Sequence, residues 1–254
     1  MSDNVVIEIN GKAENRNEFV FGEKVKFIFN DINGLTSSNG KTYPGLSMYI
    51  VKNEKDTILS NPNLLKSLND GTDLSPLQLQ AGFRTLFPNQ NNEKYKAHVE
   101  IWDKKGDGKL NYELPFTIKE NNLLNISSNG IEYSNIYLWN STLNQPIIDN
   151  NINSEHSFIM IFNGVEGFKL KNNNVFPILS IELIDNIGNK IFSNPNLLSE
   201  YENGISPIDF KGRLTTPEFA FRKGKINNPL KLNVNFKDKN SSKEISILTD
   251  LIIN

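Results

Sequence analysis

Ser60-Asn61-Pro62-Asn63-Leu64-Leu65 returns letter for letter as Ser193-Asn194-Pro195-Asn196-Leu197-Leu198, 133 residues later in a chain of 254. The surroundings keep that register. Phe29-Asn30 falls on Phe162-Asn163, Gly34 on Gly167, and Tyr43-Pro44 on Phe176-Pro177. Leu46-Ser47-Met48 falls on Leu179-Ser180-Ile181, and Ile50 on Leu183. Further on the offset is 135: Val99, Ile101 and Asp103 meet Val234, Phe236 and Asp238, and Leu110 meets Ile245. A two-residue slip confined to one loop is what a diverged duplication leaves behind. The period is far above the ~20–50 residues of solenoid repeats, so each copy is the size of a domain. The expected division is residues 1–121 and residues 122–254, one copy each.

Alternation decides the class of each copy. Val5, Ile7 and Ile9 begin the first strand; Val25, Phe27 and Phe29 form the next inward row, matched by Phe158, Met160 and Phe162. Tyr95, Ala97, Val99 and Ile101 repeat the period of two, as do Leu230, Leu232, Val234 and Phe236. The return rows run Leu110, Tyr112, Leu114, Phe116, Ile118 and Ile245, Ile247, Thr249, Leu251, Ile253. One apolar and one wet face per strand, at this spacing, predicts an all-β chain: a tandem duplication of an antiparallel β-sandwich. It is immunoglobulin-like only in the loose architectural sense, because the Cys–Trp–Cys hallmark is missing.

The hexapeptide has a local reading as well. Asn before Pro stays extended, Asn serves as N-cap, and Pro suits the first helical position. Short helical turns are therefore expected after Ser60 and after Ser193, tucking Leu64-Leu65 and Leu197-Leu198 onto the core. Ser75-Pro76 reads as a second helix start, with a short helix reaching Phe87. Gly204, Pro207, Gly212 and Pro217 argue against a long helix in the matching stretch.

Composition excludes several functions. Lys and Arg number 27 against 29 Asp and Glu, a net charge of −2, and 15 of the basic and 16 of the acidic side chains lie in residues 1–121. No basic stripe exists to grip nucleic acid. The chain holds no Cys and only two His, His98 and His156, so no zinc-ligand cluster can be assembled and no cofactor is expected. No run approaches the ~18 apolar residues of a membrane span, so no membrane insertion is expected. Met1-Ser2-Asp3-Asn4 shows no signal-peptide pattern, which reads as cytoplasmic; a chain whose signal had been removed would read the same.

Catalytic and metal motifs all yield to simpler readings. Asp103-Lys104-Lys105-Gly106-Asp107-Gly108 resembles a calcium loop, but two lysines intervene and the second copy has Ser242 in place of Asp107. A glycine-rich hairpin turn accounts for it. No Gly-x-Ser-x-Gly elbow and no phosphate loop exist. Trp102, Trp139, Tyr133, Tyr137 and Tyr43 could make an aromatic sugar platform, but ordinary core or interface packing is the favoured reading, and Tyr43 matched by Phe176 supports it.

The expected function is thus a non-enzymatic scaffold, adaptor or structural component of a bacterial assembly, acting through protein partners or self-association. The alternative is an extracellular glycan-binding or adhesion module, and the third class, ranked behind both, is an enzyme with an uncommon site. The candidate surface comes from a difference in loop length. Asn10–Glu23 separates the first two strands of copy one, whereas residues 127–157 stand in that place in copy two. That longer stretch carries Tyr133, Ile136, Tyr137 and Trp139, which either fold back onto the protein or form a protein-binding patch.

Overall fold

The structure is a computed structural model. It describes residues 5–87, 93–210, 213–221 and 226–254. Met1–Asn4 and Gly212, used in the reading above, lie outside the described residues. The chain divides into two compact units, Met1–Glu120 and Asn121–Asn254.

The first unit opens with β1 (Val5–Ile9), β2 (Lys12–Ala13), β3 (Glu18–Val20) and β4 (Lys24–Phe29). It continues through β5 (Pro44–Lys52), β6 (Asp56–Asn61), β7 (Leu79–Arg84), β8 (Tyr95–Asp103) and β9 (Lys109–Lys119). One sheet has the order β2-β1-β4-β7 and the other β3-β9-β8-β5-β6. All pairings are antiparallel except β3 on β9. Alternate residues drive the two sheets together. Phe27 of one sheet meets Tyr112 of the other at 5.4 Å, and Phe83 meets Phe116 at 5.3 Å. Phe19, Phe27, Leu46 and Ile50 are fully buried; each such side chain contributes about 1.5–3 kcal/mol.

The second unit contains β10 (Asn125–Asn129), β11 (Asn135–Asn140), β12 (Gln145–Pro146), β13 (Asn151–Ile152) and β14 (Ser157–Asn163). Then come β15 (Pro177–Ile184), β16 (Lys190–Asn194), β17 (Arg213–Thr215), β18 (Phe219–Ala220), β19 (Leu230–Asp238) and β20 (Glu244–Ile253). Its larger sheet runs β10-β20-β19-β15-β16, with β13 parallel to β20; its smaller sheet runs β12-β11-β14-β17, with β18 also on β14. Leu138, Met160 and Phe162 from the smaller sheet share one core with Leu179, Val234, Phe236 and Ile247 from the larger.

Many details recur at the offsets read from the sequence. The bridges Ser38↔Lys41 and Thr42↔Thr72 return as Lys171↔Asn174 and Val175↔Ile205. The irregularity between Ile50 and Val51 returns between Leu183 and Ile184. The Asn53 N–H donates to the Lys94 carbonyl at 2.7 Å, and the Asn186 N–H to that of Asn227 at 3.1 Å. Pro44 then pairs with Asp103, and Pro177 with Asp238. The two-residue slip is thereby narrowed to the few residues between Asn227 and the start of β19, where Asn228-Pro229 sits.

Three expectations need correction. The stretch after Pro76 is no helix: Leu79–Arg84 is β7, laid antiparallel on β4 with Leu79, Ala81 and Phe83 buried. Its period of two outweighs a Ser-Pro helix start, because six residues of ladder satisfy its backbone. The short turns expected after Ser60 and Ser193 are present, but Asn61 and Asn194 are not their caps. Each of those residues ends a strand, and its Oδ1 accepts the N–H two residues on, from Asn63 at 3.3 Å and from Asn196 at 2.9 Å. Helical turning begins later, as a 3-10 turn at Ser199–Tyr201 and as the matching Leu68 N–H to Leu65 carbonyl bond in the first unit. Finally, residues 127–157 are no enlarged loop. β11 pairs with β14 as β1 pairs with β4, so the true counterparts are residues 10–23 and residues 141–156, of nearly equal length. Among the described residues, β10 is paired on β20 and has no strand matching it in the first unit.

Candidate functional site

The four sequence-selected residues belong to β11 and its approach. Ile136 is buried in the core between the sheets, and Tyr133 packs against the same core while partly exposed. Tyr137 projects from the opposite face of the sheet and is buried, touching half-buried Trp139 edge-on at 6.5 Å. Period two separates Ile136 from Tyr137 and Trp139, so the four do not form one surface.

Asp103 and Asp238 are turn-builders. Each ends a long strand, is almost fully buried, and gathers backbone N–H groups. The Asp103 carboxylate accepts from the N–H of Thr36 at 2.6 Å and of Lys105 at 2.9 Å. Asp238 accepts from the N–H of Lys169 at 2.8 Å and of Asn240 at 3.0 Å, and from the Ser241 hydroxyl at 2.5 Å. Thr36 and Lys169 are again 133 residues apart. Burial opposes ionisation of both carboxyls, but the hydrogen bonds outweigh it and hold both below the usual carboxylate range. These oxygens are spent on N–H donors. Among the described residues no three or more His, Asp or Glu side chains gather in a metal-holding group.

The surface that stands out lies on the outward face of the sheet containing β5 and β8. There Tyr49 and His98, cross-strand neighbours, stack at 4.4 Å and 7°. His98 Nδ1 lies 3.0 Å from Glu113 Oε1, and Lys109 pairs with Glu100 at 2.7 Å. Trp102 faces Gly45 across the strands, and its indole occupies the space that a Cβ at residue 45 would need, only 2.0 Å from that point. Only glycine lets the ring lie so close to the sheet. An open groove of about 560 Å³ runs along this face, lined by Tyr49, Asn61, Pro62, Glu100, Trp102 and Asp107 among others. The corresponding groove of the second unit, about 490 Å³, carries Glu182, Asn194, Pro195, Asn233, Asn235 and Leu248 and holds no aromatic ring. Both hexapeptides therefore rim a groove, but only the first groove is aromatic. Tyr49 at 38% exposure and half-buried Trp102 carry this feature. Trp102 was legible as an aromatic candidate; its juxtaposition with Tyr49, His98 and Gly45 depends on strand register.

No known family and no curated protein matches the sequence. Solved structures match at low similarity. An ICAM-5 ectodomain fragment, domains D1–D4, shares 9% identity with a TM-score of 0.24; 99% of this chain is aligned, but the chain spans only 54% of that fragment. The three N-terminal domains of the bacteriophage RB49 highly immunogenic outer capsid protein share 12%, TM-score 0.22, over 98% and 69% of the two chains. The C-terminal domain of the Streptococcus agalactiae AgI/II polypeptide BspA shares 9%, TM-score 0.26, over 97% and 100%. Among the described residues no helix is long and apolar enough to cross a membrane.

Proposed function

We propose that the protein is a non-enzymatic binding module, a scaffold or adaptor, made by tandem duplication of one β-sandwich. The recurring bridges, bulge and buried aspartates support the duplication. The observation that carries the binding reading is the aromatic groove of the first unit. Its counterpart kept the same rim of Ser, Asn and Pro but has no ring, so the aromatic set answers no folding need of the sandwich. Trp and Tyr are the side chains that dominate protein interfaces, where a large ring desolvates with a polar atom to spare. A protein partner is thus the leading ligand class.

A glycan is the second reading, favoured by Trp102 lying against Gly45 with Glu100, Asn61 and Asp107 beside it as hydrogen-bonding groups. One pair of measurements tests both. Trp102→Ala and Tyr49→Ala are compared with the unaltered chain for melting temperature, for capture of purified candidate partners, and for binding on a glycan array. Loss of one binding activity with melting nearly unchanged supports the reading and selects the ligand class. Binding that survives both substitutions removes the groove from the function.

A further inference from the structure

The aromatic groove of the first unit is also an anionic one. Three carboxylates line it, Glu100, Asp103 and Asp107, against one ammonium, Lys109. Lys109 is already paired with Glu100 at 2.7 Å, and Asp103 is spent on backbone N–H groups. Asp107 is different. It is exposed in the turn between β8 and β9, and among the described residues it has neither an ion pair nor a hydrogen bond. The two lysines close to it in the sequence do not serve it. Lys105 Nζ lies over the Tyr43 ring at 5.3 Å, and Lys104 Nζ donates to the Leu68 carbonyl at 3.3 Å. The two arginines of the first unit are engaged elsewhere, Arg16 with Glu23 at 2.6 Å and Arg84 with the Gly22 carbonyl at 3.4 Å.

Trp102 supplies a flat wall to the same groove. The atoms nearest the place of a Cβ on residue 45 are Cε2, Cζ2 and Cδ2, around the bond that the two rings share. The indole therefore covers Gly45 with one face and turns the other to the groove. The second unit changes this set together. Ile178 stands in the place of Gly45, Lys237 in that of Trp102, Glu182 in that of Tyr49 and Ser242 in that of Asp107. It thus puts a cation of its own where the first unit has a ring, and Lys237 pairs with Glu244 at 3.5 Å. A sandwich of this kind closes without the ring and without the free carboxylate, so neither answers a folding need.

We propose that this groove receives an arginine side chain presented by a protein partner. The guanidinium lies flat on the open face of the Trp102 indole and directs its N–H groups to the Asp107 carboxylate. Arginine fits better than lysine, because a planar cation stacks on a ring and keeps its edge donors for a carboxylate. The negative lining of the groove complements that charge. The assignment rests on the groove being the binding face, and it names what that face binds.

The test uses the whole chain and a blocked five-residue peptide with arginine at its centre and glycine and serine around it. A second peptide carries citrulline there, which has the same shape and no charge. Binding is followed at constant ionic strength through the indole N–H resonances of Trp102 and Trp139, assigned with Trp102→Phe. The arginine peptide should move the Trp102 resonance saturably, and the citrulline peptide should bind about tenfold more weakly or worse. Asp107→Ser, which installs the residue of the second unit's turn, should weaken arginine binding by a similar factor with melting unchanged. No arginine binding, equal binding of citrulline, a response at Trp139 alone, or full binding by a folded Asp107→Ser chain overturns the proposal. The peptide comparison decides even if that variant fails to fold. If the arginine peptide fails while Trp102→Ala still abolishes capture of a partner or a glycan, the groove stays the binding face and only this ligand is lost. If Trp102→Ala abolishes neither, both readings fall.

Discussion

At the residue scale the buried aspartates carry the most checkable consequence. Asp103 and Asp238 each tie a hairpin turn to a distant loop by accepting from backbone N–H groups of both. Replacing either by Ala should cost about 1–3 kcal/mol, because buried donors are left unpaired. The pH dependence follows from the direction of the shifts. Both carboxyls are depressed in the folded state. Their contribution is therefore complete above the ordinary carboxylate range, about pH 4, and is lost as pH falls through the folded values. Denaturant melts between pH 7 and pH 2.5 should show stability falling in the acid arm. The double substitution Asp103→Asn, Asp238→Asn should flatten that arm; an unchanged slope would assign acid sensitivity to other groups.

Among the elements, the repeated hexapeptide is a turn that feeds the core. Leu64 N–H reaches the Leu46 carbonyl at 2.8 Å, and Leu197 N–H the Leu179 carbonyl at 2.7 Å. The second Asn of each copy does the remaining work. Asn63 Oδ1 accepts the Leu65 N–H at 3.1 Å, whereas Asn196 Oδ1 accepts from both Leu198 at 3.0 Å and Leu179 at 3.3 Å. Asn196→Ala is thus expected to destabilise more than Asn63→Ala, by about 1 kcal/mol. Equal losses in thermal melts would show that the extra contact to Leu179 contributes nothing. The identity of the six letters has a physical reason here, since the turn needs Asn oxygens two residues before each N–H it captures. The helix expected after Pro76 failed for an equally local reason. Ser-Pro is compatible with either a cap or an irregular approach to a strand, and the choice was made by the ladder on β4.

For the whole molecule, each unit has its own two-sheet core. Residues 1–120 and residues 121–254, produced separately, should each show a cooperative melt and dispersed amide resonances. A half that remains unfolded would mean that its core is incomplete without the other. The first unit should melt lower, since Leu110, Tyr112 and Leu114 are part-exposed where the second unit buries their counterparts Ile245, Ile247 and Thr249.

The sequence by itself determined the strand class, the inward rows and the repeated register. Each of these depends on alternation along a chain or on identity at a fixed offset, and both are written in one dimension. It placed Val25, Phe27 and Phe29 on their buried face, and it located the slip to within one loop region. Tertiary structure alone decided which strands are neighbours. Mistaking residues 127–157 for a loop came from aligning β1 with the start of the second half, when the pairing of β11 with β14 makes β11 its counterpart. The aromatic groove was illegible for the same reason. Tyr49 and His98 are far apart in the chain, as are Gly45 and Trp102, and only the β5–β8 register lays one ring on the other and the indole on the glycine.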